Sequence, residues 1–387
     1  MRFPLFKTAA GLLFMGAFVA TASPWEETYL GLGRTALMDA CQEDARPDPF
    51  SVTVNPAWVP RKRDAIIAVT TAAYMPFLPA GIAESTGAGL VGVTAARNFG
   101  RFRPQFSGIF VLGRDAVLDT GNAESRVDPW VQRSRRFQVQ PGLSASFLDD
   151  ALAVGVSVPV TFANEASADL NLNRDQPNAR FRAGLRPDPS FIVGFRYAVT
   201  DSLDVSLAYR DREKAGSDVS LQGELPFTGG ASIPIQAEGR SLYLFDPRRV
   251  TLQAAYRVSP SLKVGASLRW SDWSEMPNPL LDFRFTSPRL NTAARTFRAK
   301  DTWDAGAGLA LEFAHEWSLL TAYRFQQAAF PGNAFYYDGS QSIVGLGINR
   351  AFEVEADRIE VSLSQRFHFI HTGGLYSFSS LGVGYRL

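Results

Sequence analysis

Three histidines, His315, His368 and His371, and a single cysteine, Cys41, are the only side chains of those two types in 387 residues. That is too few for a Cys-clustered zinc or iron–sulfur centre or a His-rich metal site, so no metal and no cofactor is expected. One cysteine also excludes an intrachain disulfide. Ser364 and His368 offer a nucleophile and a base, but four residues along an extended strand separate them by roughly 13 Å. A Ser–His pair acting on lipid would need its serine from a neighbouring strand. The run Gly87-Ala88-Gly89-Leu90-Val91-Gly92 fits G-x-G-x-x-G, yet it lacks the strand-turn-helix context of a dinucleotide site. No G-x-S-x-G elbow, P-loop or H-E-x-x-H occurs. The chain does not read as an enzyme.

What remains is arginine, which outnumbers lysine 34 to 5. A guanidinium grips a carboxylate through two parallel hydrogen bonds, a geometry that lysine lacks. Arg196, Arg210, Arg257, Arg269, Arg324 and Arg366 all fall at polar positions of alternating segments, near Asp204, Glu224, Asp304, Glu312 and Glu360. Buried charge is costly unless paired, so most should form ion pairs, with one or two left to hold a ligand carboxylate. The formal net charge is +1, without the basic excess of a nucleic-acid binder.

The elements that carry these arginines have period two. Leu262, Val264, Ala266, Leu268 and Trp270 alternate with Lys263, Gly265, Ser267, Arg269 and Ser271; Val250, Leu252, Ala254, Tyr256 and Val258 do the same. Each such segment is a strand with one apolar and one polar face. A soluble sandwich also alternates, but these segments run about 9–12 residues, the length that crosses a tilted bilayer. Tight turns such as Val199 to Leu203 and Val258 to Leu262 alternate with long polar stretches near 114–133, 163–189, 226–247, 272–302 and 327–340. Short turns on one side and long loops on the other mark an outer-membrane barrel, as do tyrosines near strand ends, in Ala208-Tyr209-Arg210 and Ala322-Tyr323-Arg324. The fold class is all-β, a transmembrane antiparallel barrel of about fourteen strands. Expected spans are 64–75, 88–98, 105–113, 134–147, 151–162, 190–199, 203–212, 248–258, 262–271, 303–313, 317–326, 341–349, 357–368 and 376–387.

Ahead of the strands, Arg2 and Lys7 precede the apolar run Gly11 to Ala20, and Ala20-Thr21-Ala22 offers a small-residue cleavage site. Residues 1–22 read as a signal peptide, leaving 23–63 as a leading segment and 64–387 as barrel. The exported chain is expected in the outer membrane of a Gram-negative bacterium, as a monomer inserted by the barrel-assembly machinery among outer-membrane lipids.

The leading segment contains Tyr29-Leu30-Gly31-Leu32-Gly33-Arg34, an acidic stretch through Asp44, and Asn55-Pro56-Ala57. Farther on come Arg269-Trp270-Ser271-Asp272-Trp273-Ser274, Lys300-Asp301-Thr302-Trp303 with Glu316-Trp317-Ser318-Leu319, and Phe330-Pro331. In combination and order these resemble the FadL/TodX family of outer-membrane long-chain fatty-acid and hydrocarbon transporters. The resemblance implies that 23–63 is a hatch plugging the barrel, with Gly31, Gly33, Arg34, Asn55, Pro56 and Ala57 as its motif. It also implies passive transport: capture outside, a shift of the hatch, and escape through a lateral opening at a kinked strand. Pro141 and Pro159 are the kink candidates, because each removes a ladder donor. Cys41, Pro47, Pro49 and the terminal Leu387 depart from the family's usual pattern. An acyl tail needs an apolar pocket in a polar lumen; Phe50, Val52, Val54 and Trp58 could supply it from the hatch, and Leu280, Leu281, Phe283 and Phe285 from a loop. A general porin, a structural barrel and a barrel-embedded lipid hydrolase are the competing readings.

Overall fold

Alternation in the sequence becomes alternation in burial. Along one strand Asp204, Ser206, Ala208 and Arg210 are buried while Leu207 between them is exposed, and along the next Arg249, Thr251 and Gln253 are buried while Leu252 is exposed. A computed structural model describes residues 54–58, 65–77, 88–97, 99, 101–113, 136–163, 166–170, 179–186, 189–226, 232–276, 281–285, 299–313, 316–329, 340–354, 357–371 and 375–386. Among them lie β1 (Ala65–Phe77), β2 (Ala88–Arg97), β3 (Phe102–Gly113), β4 (Arg136–Phe147), β5 (Leu152–Ser157), β6 (Val160–Ala163) and β7 (Ala166–Leu170). There follow β8 (Ala179–Arg186), β9 (Ile192–Ala198), β10 (Leu203–Arg210), β11 (Glu213–Pro226), β12 (Ser232–Asp246), β13 (Arg248–Ser259) and β14 (Leu262–Asp272). The last are β15 (Leu281–Phe285), β16 (Thr302–Phe313), β17 (Trp317–Gln326), β18 (Gln341–Val354), β19 (Asp357–Ile370) and β20 (Leu375–Arg386).

Antiparallel ladders join β1 to β2, β2 to β3, β3 to β4, β4 to β5, β5 to β9 and β9 to β10. They continue from β10 to β13, β14, β16, β17, β18, β19 and β20, and β20 pairs with β1. The described strands therefore close a circuit of fourteen, one for each expected span. Closure pairs the first and last strands with each other, while β6 is paired with β4 alone among the described strands.

The outer surface of this circuit is apolar. Phe195, Tyr197, Leu207, Leu252, Tyr256, Trp303, Tyr323 and Leu363 are between 42% and 55% exposed. Leaving such side chains in water forgoes about 1.5–3 kcal/mol each, so this continuous belt is suited to hydrocarbon. The inner surface is polar and buried: Ser206 stands opposite Arg196 on one side and Gln253 on the other.

The stretches expected as loops at 163–189, 226–247 and 272–302 contain strands. β7, β8, β11, β12 and β15 form a second sheet in the order β15-β12-β11-β8-β7, above the long-connection end of the circuit. β11 continues β10 after a two-residue break at Asp211 and Arg212, and β12 runs into β13 across Pro247. Pro226, Pro234 and Pro247, together with frequent glycine and charge, made these hairpins read as loops.

Glu213 is 1% exposed and ion-paired with the buried lumen residue Arg210. The register between β11 and β12 shifts between Ala215 and Gly216. Beyond that shift, register sets Phe181 and Ala237 beside Leu221, Ala183 and Gly239 beside Val219, and Phe285 beside Ala237. Gln236 and Glu238, opposite Gln222 and Ser220, are exposed.

Candidate functional site

The five described residues of the leading segment, Val54 to Trp58, are all buried against the inner wall. Their shape is local chemistry. Asn55 Oδ1 accepts a 3.0 Å bond from the Ala57 amide, and the Trp58 amide donates to the Asn55 carbonyl at 3.0 Å. An asparagine that bonds two residues on, followed by a proline whose φ is preset, makes a compact turn.

The wall receives this turn at a notch. Gly155 on β5 stands directly opposite Gly194 on β9. A Cβ on Gly155 would collide with the Pro56 carbonyl and lie 2.6 Å from the Ala57 nitrogen; one on Gly194 would overlap Asn55 Oδ1. Around the notch, Gln105 Nε2 donates to the Pro56 carbonyl at 3.0 Å, and Asn55 Nδ2 lies 3.4 Å from the Phe195 carbonyl. Trp58 Nε1 donates to Ser206 Oγ at 3.3 Å, and that hydroxyl donates to Gln253 at 3.1 Å. The Arg196 guanidinium lies 4.9 Å from the Trp58 ring centre and 2.6 Å from Asp204. Asn55, fully buried, has partners for both ends of its amide, which offsets a desolvation cost of about 1–3 kcal/mol.

The break in the wall lies close by. β5 ends at Ser157 and β6 resumes at Val160, with Val158 and Pro159 between them. The Pro159 carbonyl accepts from the Ser190 amide at 3.2 Å, and the Pro141 carbonyl on β4 accepts from the Val158 amide at 2.9 Å. β4 pairs with both β5 and β6, so the wall is continuous on that side. On the other side the ladder to β9 runs from Leu152 to Ser157 and stops.

Of the six lumen arginines weighed as carboxylate ligands, three are in ion pairs: Arg196 with Asp204, Arg210 with Glu213 at 3.1 Å, and Arg324 with Asp304 at 2.9 Å. Arg269 is buried and stands opposite Asp304 in the ladder. Arg257 is half-buried near the short turn, opposite Lys263. The other buried arginines are engaged as well: Arg103 pairs with Asp150 at 2.7 Å, and Arg249, Arg269 and Arg366 each hold contacts. Phe50, Gly31, Gly33, Arg34 and Leu280 lie outside the described residues. Leu281, Phe283 and Phe285 of β15 stand at alternate positions, and register sets Phe283 opposite Gly239.

Gly155, Gly194, Gln105, Ser206 and Gln253 were not singled out from the sequence. Glycine inside an otherwise regular strand was the available signal, since it marks close backbone approach. A neighbouring-strand serine does meet a histidine: Ser342 Oγ is 3.0 Å from His371 Nε2. The Tyr323 hydroxyl is 3.1 Å from the same oxygen, and among the described residues no carboxylate or amide partners the other ring nitrogen. This cluster lies on the exposed outer surface. His368 is buried in the lumen with Nδ1 3.2 Å from Gln341 Oε1.

No family model matches the chain, and no curated protein matches its sequence. Solved structures match its fold over most of their length. A Pseudomonas aeruginosa FadL homologue is 16% identical with a TM-score of 0.65, covering 92% of this chain and 97% of its own. The Ralstonia pickettii toluene transporter TbuX is 14% identical with a TM-score of 0.65, covering 93% and 98%. The Pseudomonas putida toluene transporter TodX is 14% identical with a TM-score of 0.64, covering 92% and 97%. The chain has the fold of these FadL-type barrels.

Proposed function

We propose that this barrel, sharing the FadL/TodX architecture, sits in the outer membrane of a Gram-negative bacterium and passively admits hydrophobic or amphiphilic small molecules. Long-chain fatty acids and hydrocarbons are the cargo classes in view. One observation carries the reading: the turn from Val54 to Trp58 is buried against the inner wall and hydrogen-bonded to it through Gln105 and Ser206. A lumen occupied in this way suits gated passage better than an open aqueous pore, and the hairpins above it supply apolar sequence positions such as Val219, Leu221 and Leu225 for molecules that avoid water. A general porin has no use for a turn wedged into its wall.

In this reading residues 23–63 form the hatch, 64–387 the barrel, and the long-connection end is extracellular. Cargo is captured at the long-connection end, the turn at Asn55 shifts, and the exit is the wall break at Pro159. The committed arginines favour cargo recognised by its apolar body, whether or not it carries a carboxylate. The protein acts as a monomer, inserted by the barrel-assembly machinery, without a cofactor.

Deletion of 23–60 tests the plug. In planar bilayers the full mature chain should conduct ions poorly and the deletion should conduct strongly. Organic extraction of the purified full chain should recover an apolar or amphiphilic molecule. Steady conductance by the full chain with nothing extracted would sink the reading.

A further inference from the structure

Among the described residues, Arg350 and Arg97 lie on the outer surface against aromatic rings, away from the lumen and the hatch. Arg350 on β18 stands opposite Trp317, the first residue of β17, next to a short turn. Leu346 and Ile348, at alternate positions before it, are 47% and 36% exposed, so Arg350 belongs to the lipid-facing set. Its guanidinium carbon is 5.0 Å from the Trp317 ring centre and 4.5 Å from that of Phe352. Arg97, the last residue of β2, repeats the arrangement beside another short turn, 5.0 Å from the ring centre of Phe99.

Stacking occupies the flat faces of a guanidinium and leaves its N–H donors in the plane, at the edge. Arg350 Nε is buried without a hydrogen-bond partner, and among the described residues no carboxylate pairs with Arg350. A lysine at this depth would snorkel on a flexible stem; an arginine held between two rings is fixed in orientation. Aromatic side chains mark the interface where hydrocarbon gives way to headgroups, and the anion at that level is phosphate.

We infer that Arg350, Trp317 and Phe352 form a binding site for the phosphodiester of a phospholipid in the leaflet next to the short turns. The guanidinium edge takes two phosphate oxygens, and the rings pack beside the glycerol and upper acyl chains. The site rests on the outer belt meeting lipid and is independent of what passes through the lumen.

Native mass spectrometry of the mature chain in detergent, titrated with dioleoyl phosphatidylglycerol, counts bound lipids. The wild type should hold one lipid at least tenfold more tightly than Arg350→Gln. Trp317→Leu, which keeps the charge, should lose an intermediate amount. Dioleoylglycerol, which lacks the phosphate, should bind all three alike. Equal lipid retention by wild type and Arg350→Gln overturns the site, as does displacement of the lipid by equimolar inorganic phosphate, which would make it a free-anion site. Heat-modifiable gel mobility verifies that each variant is a folded barrel; should Arg350→Gln fail to fold, equal retention by wild type and Trp317→Leu overturns it instead. Failure of the chain to float with vesicles would overturn this site and the membrane reading together, whereas loss of the lipid adduct alone leaves the cargo reading standing.

Discussion

Gly155 on β5 and Gly194 on β9 face each other across a single ladder step and together leave a gap in the inner wall that Asn55, Pro56 and Ala57 fill. Two side chains are missing where the backbone of the turn comes closest to these strands.

Gly155→Ala should dislodge the turn, because its Cβ meets the Pro56–Ala57 backbone rather than a side chain that could swing away. Overpacking of this kind costs about 1–3 kcal/mol. The expected outcome is a folded barrel with raised ion conductance in planar bilayers. Gly306→Ala is the control for mild crowding elsewhere in the wall, since its Cβ meets Ser267 and the Tyr323 carbonyl at 3.2 Å and not the turn. Equal conductance in the two variants would count against the notch.

Asn55→Ala should loosen the plug for a different reason. It removes the acceptor for the Ala57 amide and leaves that amide buried, at about 1–3 kcal/mol. Limited proteolysis of the segment before residue 60 should become faster in the variant while the barrel core resists.

Arg196→Met and Asp204→Leu should each destabilise the barrel by about 3–5 kcal/mol, because either one strands a buried charge. The double variant should be less damaged than either single one. Arg196→Met also removes the contact with the Trp58 ring, so it alone should raise conductance. Thermal unfolding followed by gel mobility, combined with single-channel recording, separates the two effects.

Leu221→Lys places a charge among the apolar alternating positions Val219, Leu221 and Leu225 of β11. Uptake of a hydrophobic probe such as methyl oleate into cells bearing the variant should fall about tenfold, equivalent to 1.4 kcal/mol of lost capture. Oleate and its methyl ester should be taken up comparably by the wild type, given that the described buried arginines are all engaged. A strong preference for the free acid would show that a cation does hold the carboxylate.

The circuit was legible in the sequence because lipid on one side and charge on the other write a period-two pattern, as in Leu262 to Trp270. The hairpins above it were not. Val219, Leu221 and Leu225 alternate just as well, but their neighbourhood of proline, glycine and charge matches loop composition, and nothing local says which face turns inward. Asn55, Pro56 and Ala57 were found by resemblance, and Trp58 by its apolar character. Gly155 and Gly194 escaped, because their meeting depends on the pairing of β5 with β9 across a long insertion. The arginine partners depended on register in the same way: Arg196 finds Asp204 only once β9 and β10 are aligned.

Ile66 of β1 pairs with Arg386 of β20, so the ring is joined by residues from opposite ends of the chain. The loop-closure entropy of that last seam is among the largest the molecule has to overcome, so the local hairpins can form before it does. Until it forms, both terminal strands present unpaired edges to any other strand in reach. A chain cut short before β20 is therefore expected to be a template for misassembly rather than a smaller barrel, and completion of synthesis becomes the step that commits the protein to a single closed ring.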